Sequence, residues 1–290
     1  MKRLPAFALC FLIAAALLPA GWAFADAPVA SAASVKQGAW AVREGKKNTL
    51  QPQAPVFVKD TLATDGSGKL ELKFSDGTVI AMNPSTEAKV SDFVMSDTKN
   101  SFGASVTKGV SRVITGTLVK RNPIGFKVNT PRSTVGIRGT EVMFVVQNNS
   151  EIISVMHMNS EYVSVIDNQS AQAFSLTAPN QSVVMRQNQP AQVINNSSEL
   201  TALLAGLAQS GSELTPQTLS SLLGAAANSP VLTTGSLPAA QQPAVQTSVN
   251  NNSPAALHDA IVLGNGSDSN RNTDSDRNTS TGTTPQTRCD

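Results

Sequence analysis

Cysteine is almost absent from this chain. Its 290 residues hold two, Cys10 and Cys289, which excludes a disulfide-stapled scaffold. Histidine is as scarce, at His157 and His258, and Tyr162 is the single tyrosine. Little is left for acid–base or metal chemistry. Charged residues make up 14% of the chain, well under the usual quarter or so of a globular protein, and the composition is neither that of a coiled coil nor of a collagen. Long apolar runs are missing too, with one exception from Leu4 to Leu18.

That exception reads as an export leader. Lys2 and Arg3 precede the run, Pro19 and Gly21 break it, and Ala23-Phe24-Ala25 offers small residues to a signal peptidase. The pattern predicts a Sec-type signal peptide over 1–25, cut after Ala25, and a periplasmic or secreted chain. The alternative is an uncleaved anchor, and the run falls short of the ~20 residues that span a bilayer. No later stretch is apolar enough to cross a membrane. Cleavage would remove Cys10 and leave Cys289 alone near the end, so no intramolecular disulfide is expected.

What is present is unevenly distributed. Beyond the leader the aromatics lie between Trp40 and Phe174, and no lysine follows Lys127. A core needs large apolar side chains, so the folded domain is expected over about 35–187. Within it, Lys69 to Phe74 alternates polar and apolar residues, which puts Leu70, Leu72 and Phe74 on one face of a strand. Asp76-Gly77 is a turn pair, and Thr78 to Met82 resumes an extended run. Phe126–Asn129, Glu141–Val146, Ile152–Met156, Tyr162–Ile166 and Ser182–Met185 are further strand candidates between Pro, Gly and Asn breakers. The region reads as all-β, with many short strands.

Helical periodicity appears only afterwards. Leu200, Leu203, Leu204 and Leu207 share one face, with Ser197 or Ser198 as cap and Gly211 as stop; Leu219, Leu222, Leu223 and Ala226 repeat the spacing behind Thr215-Pro216. Two short amphipathic helices are expected over 196–227, packed on the β core or on each other, with partner binding by the leucine stripe as the alternative. Residues 228–290 are mostly small and polar and read as a low-complexity disordered tail.

Several motifs fail as catalytic signatures. Gly66-Ser67-Gly68-Lys69 lacks the earlier glycine and the following hydroxyl of a phosphate loop, and it reads as a hairpin turn; Gly136-Ile137-Arg138-Gly139 has no third glycine or following helix. Asp268 to Asp276 alternates acids without the glycine and glutamate of an EF-hand. His157 has no companion ligand and reads as a half-buried sheet residue. No catalytic residue, metal site or cofactor is assigned.

Charge gives the sharper signal. Residues 26–138 hold 16 basic and 9 acidic side chains, a sum of +7, and 139–290 hold 4 basic and 11 acidic, a sum of −7. Between Asp97 and Glu141 every charged residue is basic. Lys108, Arg112, Lys120, Arg121, Lys127 and Arg132 form a candidate docking surface for a protein, an anionic glycan or lipid headgroups; the other reading is a solvated positive edge. Nucleic acid is not expected, since the cations are not interleaved with aromatics.

Two motif pairs carry a resemblance. Asp76-Gly77-Thr78 after the Leu70–Phe74 strand, and Phe126-Lys127-Val128-Asn129-Thr130-Pro131 with Val135-Gly136-Ile137-Arg138-Gly139-Thr140, resemble the FecR-type domain over roughly 35–187. Asp76, Gly77, Thr78, Thr130, Pro131, Arg138, Gly139 and Thr140 fall on its motif turns, which reads as a structural role; Arg138 has enough donors to bind as well. The resemblance implies a β-solenoid-like or sandwich-like domain working outside the inner membrane. In FecR relatives that domain is the sensory half of a transmembrane anti-sigma regulator. This sequence lacks the family's cytoplasmic region, so a stand-alone exported interaction module is expected, not an enzyme. A structural or surface-displayed envelope protein with a polar spacer is the alternative.

Overall fold

Alternating side chains and turn residues divide the chain into short strands, which pair into two layers. The computed structural model describes residues 26–147, 149–159 and 162–232. The expected leader, Cys289, His258, the calcium-like spacing and most of the expected tail lie outside them. The first half supplies β1 (Ala30–Lys36), β2 (Ala39–Arg43), β3 (Lys46–Thr49), β4 (Pro55–Val56), β5 (Thr61–Thr64), β6 (Lys69–Phe74), β7 (Val79–Met82), β8 (Glu87–Met95) and β9 (Asn100–Ile114). One helical turn, α1 (Leu118–Arg121), follows. The second half adds β10 (Phe126–Asn129), β11 (Ser133–Gly136), β12 (Thr140–Gln147), β13 (Ser150–Met158), β14 (Val163–Asp167), β15 (Ala173–Leu176), β16 (Gln181–Met185) and β17 (Gln192–Asn195). Two longer helices, α2 (Ser198–Ser210) and α3 (Pro216–Ala227), close the described chain.

The long strand β9 belongs to both layers. Its first part pairs with β8 and, in parallel, with β10; its last part pairs with β7 and β12. The switch falls at Gly109 (φ 92°), where the Thr86 hydroxyl accepts the Val110 N–H at 3.0 Å. One layer runs β4-β1-β6-β7-β9-β12-β13-β16-β17. The other runs β3-β2-β5-β8-β9-β10-β11-β14-β15. The strand-rich reading is therefore met by a sandwich. After β9 the chain lays down hairpins alternately, β10–β11 in one layer, β12–β13 in the other, β14–β15 back in the first, β16–β17 in the second.

Inward-facing residues of both layers make one apolar core, including Leu70, Leu72 and Phe74 of β6. Phe102 of β9 stacks on Phe126 with ring centres 4.0 Å apart and meets Phe74 of the opposite layer edge-on at 5.1 Å. An edge-on pair of this kind adds about 0.5–1.5 kcal/mol beyond area burial.

The two outer faces differ. On β12, Val142, Phe144 and Val146 point to the core between the layers, while Met143 and Val145 point out and meet the helices. Leu200, Leu204 and Leu207 of α2 and Leu219 and Leu222 of α3 bury against Met143, Val145, Ile152, Val184 and Ile194. A strand covered on both faces reads as a continuous apolar run, and Val142 to Val146 is one. Of the two uses open to the leucine stripe, the structure takes the internal one. Ser197 and Thr215 cap the helices through Leu200 N and Thr218 N, and Gly211 ends α2 in the left-handed region. The segment Gly66–Lys69 is no hairpin: β5 and β6 do not pair, and the turn carries the chain from one layer to the other.

Candidate functional site

The first motif turn is a tie between elements. Asp76 follows β6 and is buried; its carboxylate accepts the Thr78 N–H at 2.9 Å and the Thr78 hydroxyl at 2.8 Å. The Thr78 hydroxyl in turn accepts the Gly116 N–H at 2.9 Å, and the Asp76 carbonyl accepts Thr117 N at 2.9 Å. Gly77 sits at φ 87°, as this reversal requires. The turn thus fixes the segment that enters α1.

The second motif turn is closed inside the protein. Glu151 on β13 is 1% exposed, and its carboxylate accepts the Thr130 hydroxyl, the Ser133 hydroxyl at 3.1 Å and the Arg132 N–H at 2.9 Å. Burial pushes this carboxyl above the ordinary glutamate range, against the lowering effect of those donors and of Arg132. The Arg132 side chain meets Asp167 through two nitrogens at 3.3 and 3.1 Å and donates to the carbonyls of Arg186 and Gln189 at 2.7 and 2.9 Å. Burial pulls the Asp167 carboxyl upward, but Arg132, Gln169 N–H and the Ser170 hydroxyl outweigh it and hold it below the ordinary aspartate range. Arg132 is 6% exposed. It is removed from the candidate docking surface: its charge is spent within the fold.

The third motif segment opens onto a cleft. Gly139 turns at φ 74° and its carbonyl accepts Asn159 N at 3.2 Å. Thr140 N donates to the Thr115 hydroxyl at 3.0 Å, and the Thr140 hydroxyl donates to the His157 carbonyl. These bonds join the ends of β9, β12 and β13. Between them and α1 lies a cleft of about 720 Å³, with apolar walls from Ile114, Val119 and Pro123, charge from Lys120, Arg138 and Glu141, and the His157 ring beside them. The Arg138 guanidinium lies 4.5 Å from the centre of the Tyr162 ring. Stacking of this kind orients the planar fork that pairs with carboxylates.

At the cleft's rim Glu141 is already engaged, with Arg112 at 3.1 Å and His157 Nδ1 at 3.8 Å. His157 is not the half-buried sheet residue its surroundings suggested; its side chain is 82% exposed. A bulge explains this. Glu141 pairs with His157 but Val142 pairs with Val155, so Met156 is the extra residue. Val155 and Met158 then both pack on the inner core, and His157 turns out.

The basic residues do not form one patch. Lys120 and Arg138 share the cleft, and Arg112 borders it through Glu141. Arg121 is exposed on α1, Lys127 is half-buried on β10, and Lys108 lines a separate depression of about 410 Å³ beside Trp40 and Glu87. Glu141 and His157 were not singled out as binding residues; only the pairing of β12 with β13 brings them together. Among the described residues no group of three or more His, Cys, Asp or Glu is placed to hold a metal ion, and no helix is long and apolar enough to cross a membrane.

Residues 60–159 match the family described as FecR protein, a span that includes all three motif turns. No curated protein matches the chain. Two crystal structures of a candidate anti-sigma factor from Parabacteroides distasonis are similar at 16% identity, with TM-scores of 0.39 and 0.38. Each alignment covers 49% of this chain and 62 or 63% of the solved one, so the chain spans about three fifths of their length.

Proposed function

We propose that this FecR-domain chain is a recognition module of the bacterial cell envelope, exported by its leader, that engages an acidic protein or other envelope component through the cleft beside α1. The observation that carries the reading is the juxtaposition of Lys120 and Arg138 over an apolar wall, beside the third motif segment Arg138–Thr140. Arg112 supports it by pairing with Glu141, the one carboxylate among the cleft's lining residues. A ligand with a carboxylate beside an apolar group fits these walls: Arg138 offers a preoriented fork and Lys120 a mobile point charge. The role is one of binding and signal reception rather than catalysis.

The test is affinity capture from an envelope extract of the producing organism, comparing the native chain with Lys120→Glu/Arg138→Glu and with the control Lys46→Glu/Lys47→Glu on β3. The reading expects a captured set that disappears with the cleft variant and survives the control. An identical set from all three chains would end it.

A further inference from the structure

Beside the cleft, and sharing Lys120 and Pro123 with its wall, two loops are tied into one tip. The α1–β10 loop reaches the β8–β9 hairpin end through Asn122 Nδ2, which donates to the Asn100 carbonyl at 2.7 Å, and through the Gly125 carbonyl, which accepts Phe102 N at 2.8 Å. Most large apolar side chains of the described residues are inside. The exposed ones are Met95 at 43%, Ile124 at 66% and Val231 at 61%. Met95 and Ile124 both stand on this tip. Lys99, Lys120 and Arg121 are exposed around them, and Asp97 is the single acid on the two loops.

Isolated exposed apolar residues are ordinary on protein surfaces. Here they coincide with exposed cations on two tied loops, which is the arrangement that sits on an anionic bilayer: apolar tips enter the headgroup boundary while Lys and Arg stay with the phosphates. A protein partner would gain little apolar area from two separated side chains. We propose that the Met95–Lys99 and Lys120–Gly125 tip docks the protein peripherally on an anionic lipid surface. Each cation near such a surface strengthens binding roughly fivefold, and with Asp97 offsetting one of the three the net gain is on the order of twenty-five-fold, which describes a weak and salt-sensitive association.

This proposal shares Lys120 with the partner reading, and the experiment separates them through residues that only one of the two uses. The full chain is sedimented with vesicles of phosphatidylcholine alone or mixed with phosphatidylglycerol, at about 0.01 M and about 1 M salt. Binding is expected to the mixed vesicles at low salt, with loss at high salt. Lys99→Glu/Arg121→Glu, neither of which lines the cleft, should weaken it by tenfold or more, and Ile124→Ser several-fold. Arg138→Ala should retain it. No sedimentation with mixed vesicles at low salt, equal sedimentation with neutral ones, or full retention by Lys99→Glu/Arg121→Glu overturns the proposal.

Discussion

Arg132 and Arg138 flank the same strand, β11, and do opposite things. Arg132 is buried, with Asp167 and two backbone carbonyls satisfying its guanidinium. Arg138 lies over Tyr162 at the wall of a cleft, and among the described residues no carboxylate comes within ion-pair distance of it. One charge fixes the fold; the other is presented. A cluster of like charges in sequence is therefore not a surface. Each member has to be followed to the carboxylate or the solvent that meets it.

The contrast can be broken by stability measurements. Arg132→Ala leaves Asp167, 1% exposed, as a buried charge without its partner, and such losses cost about 3–5 kcal/mol. Urea denaturation should show a drop of that size; a loss under about 1 kcal/mol would mean that Arg132 is not spent within the fold. Gly116→Ala comes next. A Cβ there would lie 2.4 Å from the Asp76 carbonyl oxygen and 2.4 Å from Thr78 N, overpacking of about 1–3 kcal/mol. An unchanged melting temperature would contradict the tie between the first motif turn and α1.

The Glu151 turn gives a pH signature. Its carboxyl is raised by burial, so over the range above the ordinary glutamate value the native state keeps a proton that the unfolded chain has released. Stability at this site falls as pH rises through that range. Asp167, lowered on folding despite its burial, contributes above the ordinary aspartate value and is lost as pH falls below it. Glu151→Gln should flatten the decline on the less acidic side and leave the acid-side loss in place, as followed by urea denaturation across pH. A native-like decline in the variant would assign it elsewhere. The smallest effect belongs to Arg138→Ala, expected to cost about 1–2 kcal/mol, the range of a partly buried cation–π contact.

Much of the layered fold was legible. The alternation of Leu70, Leu72 and Phe74 marks β6, and the leucine spacing marks α2 and α3, because periodicity records which face meets the core. β1 to β5, β8 and the whole of β9 were not read as strands, nor were β11, β15 and β17; β1 and the first half of β9 show why. Ala30 to Lys36 and Asn100 to Lys108 are rich in Ala, Ser and Gly, which carry little strand preference; β4 and β6 hold the first in place, and β8 and β10 hold the second. The motif turns could be located, but the choice between Arg132 and Arg138 could not. Arg132 finds Asp167, Arg186 and Gln189 at separations of 35, 54 and 57 residues, contacts that only the alternating hairpins create. His157 was misplaced for a local reason, the bulge at Met156, which reverses the alternation just where the cleft begins.

The most direct test of the recognition claim is capture by the cleft variant. With an envelope extract, Lys120→Glu/Arg138→Glu should fold as the native chain does and lose the partners that the native chain and Lys46→Glu/Lys47→Glu retain. A folded cleft variant that captures the same partners as the native chain would contradict the account.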